Sequence, residues 1–327
     1  MGRYLIKRFL YVIPSLLIIS LISFLLIELP PGTFADTVAA EMMESGSVNE
    51  GAIKAIEERY GLNKPILEQY WKWITGILLR GDFGESFIWS RSVSSVLWER
   101  LGYTLILTGS AFLFVCLVSI PIGIFSAVRQ YSFGDYIFTT LGFLGLAIPS
   151  FLLSLILMYI GFKYFDQTIG GFFSPEIKEA PWNFAKFMDL LSHLWIPAIV
   201  VGLEGTTSLI RIVRANLLDE LLKPYVITAR AKGLSEVKLI LKYPVRIALI
   251  PFIATLGWML PGLISGATIV SVVMSLPTTG PILLRSLMGQ DMYLAASFIL
   301  MLSVLTVIGT LISDILLAVV DPRIRYH

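Results

Sequence analysis

Residues 223–251 read KPYVITARAKGLSEVKLILKYPVRIALIP. Pro224 fits the first position of a helix and Gly233 sits just past its end, so the stretch brackets a helix of little more than two turns. A second helix is predicted at once: Ser235 can cap it, Glu236 favours its first turn and Pro244 discourages its continuation. Long apolar runs flank this basic loop on both sides. Two short helices on a charged loop between such runs point to an all-α chain in which the loop works against a surface.

The surrounding composition says what kind of chain this is. Of the 327 residues, 56% are hydrophobic and 15% charged, with a mean hydropathy of +0.80, too apolar for a soluble domain of this length. The expectation is a membrane protein, with no nucleic-acid partner. Cys116 is the only cysteine, which excludes an intrachain disulfide and a cysteine metal cluster. His193 and His327 are the only histidines, so no metal site or cofactor is expected in the chain itself. An HExxH motif is absent, and an intramembrane protease would need a histidine beside a serine such as Ser110, whereas His193 stands at a span boundary and no span interior supplies another.

Working outward from the loop, six apolar runs are each long enough to cross a hydrocarbon layer of about 30 Å at about 1.5 Å per residue. They cover residues 9–29, 104–128, 136–162, 193–213, 247–276 and 292–320. The first follows Arg3, Lys7 and Arg8 and resembles a signal peptide. It is longer than a signal core and ends in Glu28-Leu29-Pro30-Pro31-Gly32, so it is read as a retained span. Residues 30–101 form an extracytoplasmic region with a predicted helix at 48–60, capped by Asn49 and stopped by Gly61. The chain thus divides into residues 1–29, 30–101 and a five-helix core 102–327 with its cytoplasmic loop at 214–246. Pro121, Pro149 and Pro261 fall inside spans and predict kinks there.

Lys and Arg in the short flanks orient the plan. Arg3, Lys7, Arg8, Arg129, the 214–246 loop, Arg323 and Arg325 fall on one side, which puts both termini in the cytoplasm. Between Arg211 and Arg246 eight basic residues face Asp219, Glu220 and Glu236, a net charge of +5. A lipid-facing anchor would account for that charge. It would not account for the Pro224 and Gly233 brackets or the small residues between them.

At this loop the sequence resembles the inner-membrane permease subunits of ABC importers, in the dipeptide and oligopeptide branch. Tyr225 to Leu234 (YVITARAKGL) carries the resemblance, with Gly233 as the signature glycine. GLNKPILEQY at 61–70, RGDFGES at 80–86, AIPSF at 147–151 and DPRIR at 321–325 extend it over the whole length. The resemblance implies a multi-pass protein of the cytoplasmic (inner) membrane that works by alternating access. It also implies a second homologous permease subunit, two cytoplasmic ATPases that bind ATP and magnesium, and an extracytoplasmic solute-binding protein. The chain has no GxxxxGK[ST] loop, so it is not expected to be an enzyme. Tyr225, Thr228, Ala229, Arg230, Ala231, Lys232 and Gly233 would form the ATPase-coupling element, small residues allowing close approach and Gly233 a sharp turn. Tyr243, Ser271, Met274 and Thr278 depart from the family pattern, which leaves oligosaccharides beside oligopeptides as cargo.

Within the spans, Glu204 costs roughly 2.5 to 3.5 kcal/mol if ionised at helix centre, and so calls for a partner, a wet cavity or protonation. Either it lines the path or it bonds to Thr206, Thr207 or another helix. Pro261, Gly262 and Ser271 join it as candidate path residues. Asp314 is read as structural. The rival reading is an ion-coupled secondary transporter using Glu204 and Asp314.

Overall fold

The computed structural model describes residues 2–28, 63–165, 167 and 170–320, with scattered residues between 35 and 58; side chains of the first helix are described from Leu10 to Leu25. Among these residues the chain is helical, with a single isolated bridge between Glu85 and Ser92. The predicted helix at 48–60 and the terminal DPRIR stretch lie outside the described residues.

Twelve helices are described: α1 (Gly2–Glu28), α2 (Ile66–Arg80), α3 (Val93–Val128), α4 (Phe133–Ala147), α5 (Ser150–Phe165), α6 (Phe184–Leu221), α7 (Pro224–Ala231), α8 (Glu236–Lys242), α9 (Pro244–Ala248), α10 (Ile250–Val273), α11 (Thr279–Met288) and α12 (Met292–Val320). Four of them, α3, α6, α10 and α12, are long and apolar enough to cross a membrane, and α4 with α5 makes a fifth if the pair is one broken span. The apolar stretch described in α1, Leu10–Leu25, is shorter than these.

The third predicted span is not one helix. α4 and α5 meet at 109° across Ile148 and Pro149. The cause is local: Pro149 disfavours helical backbone at the residue before it, and Ile148 is extended, φ −87° and ψ 121°. Pro121, Pro197 and Pro261 stay within continuous helices. α6 also runs further than the sequence suggests, from its cap at Asn183, whose side chain accepts the Lys186 N–H at 2.8 Å, to Leu221. Arg211 and Arg214 therefore stand on a helix rather than on a loop.

The residues fall into two compact units. In the larger one, residues 104–277 with both chain ends, α6 packs against α4, α5, α9 and α10. It is the central helix: 61% of its most apolar stretch is buried, against 33% for the other three long spans. Gly123 of α3 permits one close crossing, since a Cβ there would lie 2.8 Å from the Cβ of Val213. Asp135 in α4 receives Arg214 of α6 at two points, 3.2 and 3.0 Å.

The second unit comprises residues 7–103 and 278–305. Its core gathers Phe24, Tyr70, Trp73, Phe87, Leu97 and Phe298. Tyr70 stacks edge-on against Phe24 and shares a 2.9 Å hydrogen bond with Ser20. Asp291 is fully buried. It accepts from the Ser86 hydroxyl at 2.5 Å and the Ile88 N–H at 3.2 Å, and it caps α12 by accepting the Leu294 N–H.

Candidate functional site

The loop that decided the reading folds into three helices. Lys223 is extended, and Pro224 begins α7 as predicted. Gly233 follows α7 in the left-handed region at φ +78°, with nothing within 4 Å of an added Cβ. Its glycine is needed for backbone conformation, not for space. Ser235 is the N-cap of α8, but its hydroxyl makes no capping bond. Pro244 ends α8 by starting a further short helix, α9.

The inner face of this assembly is a small apolar core. Val226 and Ala229 of α7, Leu239 and Ile240 of α8, and Val245 and Ala248 of α9 are buried together with Leu217 of α6. Ala229, grouped by sequence with the coupling residues, thus packs against its own chain. Tyr225 leans the same way, half-buried, with its hydroxyl donating to Glu220 at 2.5 Å. Burial and the Glu220 carboxylate together push the Tyr225 phenol above its ordinary range. Tyr243, one of the departures, fills the joint between α8 and α9 against this core and carries the Lys242 ammonium 5.4 Å from its ring centre.

The outer face is apolar and basic. Ile227 is 59% exposed, Val237 70% and Leu241 54%, beside the exposed Thr228, Arg230, Ala231 and Lys232. The Arg230 guanidinium grips both oxygens of Glu236, at 2.5 and 3.1 Å, which ties α7 to α8 around Gly233. That pair raises the Arg230 pKa and lowers that of Glu236. The exposed aliphatic residues were missed by sequence reasoning. The buried Val226 and Ala229, three apart on α7, are the signal that would have turned Ile227 and Thr228 outward.

The second constellation surrounds Glu204, midway along α6. It lines a cavity of about 300 Å³ with Gly145, Ile148, Pro149, Ser150, Gly266 and Val270, and so sits at the break between α4 and α5. The Thr206 hydroxyl is taken by the Gly202 carbonyl, and that of Thr207 by the carbonyls of Gly142 and Leu203. Neither is bonded to Glu204, which is exposed and makes no hydrogen bond or ion pair among the described residues. The other candidate path residues do not join it. Pro261 is partly buried, Gly262 is exposed with nothing within 4 Å of an added Cβ, and Ser271 is fully buried with a hydroxyl that makes no hydrogen bond among the described residues. Asp314 is partly buried and engaged with neighbours.

Comparison with known proteins covers the whole chain. Residues 119–326 match the family described as binding-protein-dependent transport system inner membrane component. Residues 1–108 match the N-terminal family of binding-protein-dependent transport system membrane components. The chain is 36% identical over 327 residues to the oligopeptide transport system permease protein AppB of Bacillus subtilis, with 100% of both chains covered. It is 31% identical over 326 residues to the glutathione transport system permease protein GsiC of Salmonella typhimurium, again with 100% of both covered. The oligopeptide transport system permease protein OppB of Haemophilus influenzae is 30% identical over 327 residues, at the same coverage.

Proposed function

From the premise that this chain belongs to the binding-protein-dependent transport system inner membrane components, we propose that it carries peptides and is driven through the α7–α8 surface. It is a multi-pass permease subunit of an ABC importer, a class that works with ATPase and solute-binding partners. The relatives named for oligopeptide and glutathione transport support a peptide cargo over an oligosaccharide. They give no support to the ion-coupled reading built on Glu204 and Asp314.

In this reading six spans, α1 and the α4–α5 pair among them, place both termini in the cytoplasm. Two ATPases hydrolyse ATP with magnesium, a second homologous permease subunit completes the path as a heterodimer, and the two halves alternate access. The observation that carries the reading is the outer face of α7 and α8. It presents Ile227, Val237 and Leu241 among basic side chains while a buried core and the Arg230–Glu236 pair hold its shape. An apolar surface rimmed by charge suits a protein partner, and a rigid underside lets the partner's displacement pass into α6.

The test is reconstitution of the importer with its ATPases and binding protein. Peptide-loaded binding protein should stimulate ATP hydrolysis and drive peptide uptake. Ile227→Asp, on the exposed face, should abolish ATPase recruitment with the permease still folded. Full recruitment and full uptake in that variant would overturn the coupling surface.

A further inference from the structure

We propose that the Glu204 cavity is a cargo subsite that receives a protonated amine, the free amino terminus of a transported peptide. The inference rests on the peptide reading above and adds to it a residue and a recognised group. Three observations carry it. Among the described residues, Glu204 is the only charged side chain lining the cavity, it lies midway along the most buried span, and it has no partner. The hydroxyls nearest in sequence are already committed to backbone carbonyls.

An ionised carboxylate within a span needs a counter-charge or water, and a lone one on a cavity wall marks a functional site. A cation is the group that satisfies it. The break in the third span supplies further acceptors. Pro149 has no N–H, so the carbonyl of Gly145, four residues earlier and on the same cavity wall, has no helical donor. An ammonium brings three donors, and a carboxylate with an orphan carbonyl provides acceptors for them. At about 300 Å³ the cavity accommodates a peptide terminus with a small side chain, at the low end of ligand-site volumes.

The test uses the purified importer complex in lipid nanodiscs. Gly266→Cys in a Cys116→Ser background places a thiol on the cavity wall, where an added Cβ meets nothing within 4 Å. Ser150→Cys is a second reporter on the same wall. The rate of modification by a neutral methanethiosulfonate is measured with trialanine or N-acetyl-trialanine. Trialanine should slow labelling about tenfold, the scale of one charge-assisted hydrogen bond, and the acetylated peptide should not. Glu204→Gln should remove the protection and Glu204→Asp should keep it. Equal protection by both peptides, protection that survives Glu204→Gln, or no protection at either reporter overturns the amine subsite. Loss of complex assembly in Glu204→Gln, showing a structural contact instead, overturns it as well. Uptake by the unmodified importer in proteoliposomes separates the two claims. Peptide uptake without amine-dependent protection overturns the subsite alone, whereas absence of peptide uptake overturns the peptide reading.

Discussion

Asp135 and Arg214 form a two-pronged ion pair, Nε to Oδ1 at 3.2 Å and an outer guanidinium nitrogen to Oδ2 at 3.0 Å, that locks the start of α4 to α6. Asp135 is 3% exposed and also accepts the N–H of Tyr131, a residue held in the left-handed region at φ +60°. The pair therefore fixes both a helix crossing and the turn that leads into it. Asp135→Asn should cost about 2 kcal/mol, less than a fully buried pair because Arg214 is partly exposed. Thermal unfolding of the solubilised complex checks the value. Asp135→Asn combined with Arg214→Gln should cost less than the sum of the two single changes.

Gly233 sets the turn between α7 and α8. With φ at +78° and open space around it, Gly233→Ala should suffer only backbone strain, about 1 to 2 kcal/mol. Gly233→Asn should suffer less, because asparagine visits this region more readily. Reconstituted uptake should fall in the order glycine, asparagine, alanine, with a bulky β-branched residue lowest. Normal uptake and normal complex yield in Gly233→Val would sink the idea that the turn transmits motion.

Arg230 and Glu236 are both exposed, so their pair is expected to set geometry and add little to fold stability. The Arg230 guanidinium holds the Glu236 pKa below the ordinary glutamate range. The pair's contribution is therefore complete above that range and is lost as pH falls through the depressed value. Hydrogen exchange at α8 should quicken on acidification, and Glu236→Gln should show the same fast exchange at neutral pH. Unchanged exchange in that variant would mean the pair does not order α8.

Asp291 gathers the Ser86 hydroxyl and two backbone N–H groups. Asp291→Ala leaves all three donors without this acceptor and should destabilise the second unit by about 3 kcal/mol. Burial pushes the Asp291 carboxyl up, against the hydrogen bonds that lower it. Its contribution is therefore greatest on the acid side of its ordinary value and declines as pH rises through the raised one. Hydrogen exchange over residues 86–94 across that pH range should flatten in Asp291→Asn.

What the sequence disclosed was local. Pro224, Gly233, Ser235 and Pro244 mark helix boundaries because backbone chemistry acts over one to four residues, and all four stand at or beside boundaries in the structure. The fate of Pro149 was less legible, since proline in an apolar run permits either a kink or a break. Pro121 and Pro261, by contrast, leave their helices continuous. The Asp135–Arg214 pair joins residues 79 apart and leaves no periodic trace. Glu204 was legible as a cost but not as a place, because hydropathy prices a charge without saying which wall it stands on. Ala229 shows the converse: its small size was read as room for a partner, and it serves the packing of its own chain.

The outer face of α7 and α8 has a further consequence for how the subunit is made. Ile227, Val237 and Leu241 are too exposed for a surface that spends its life in water. On the proposed topology, a copy inserted into the membrane without its ATPase would carry an adhesive patch into the cytoplasm, open to aggregation and to surveillance by chaperones and proteases. The same residues proposed to couple the subunit to its ATPase would then make it a poor orphan, and its abundance should follow that of the partner proposed to cover them.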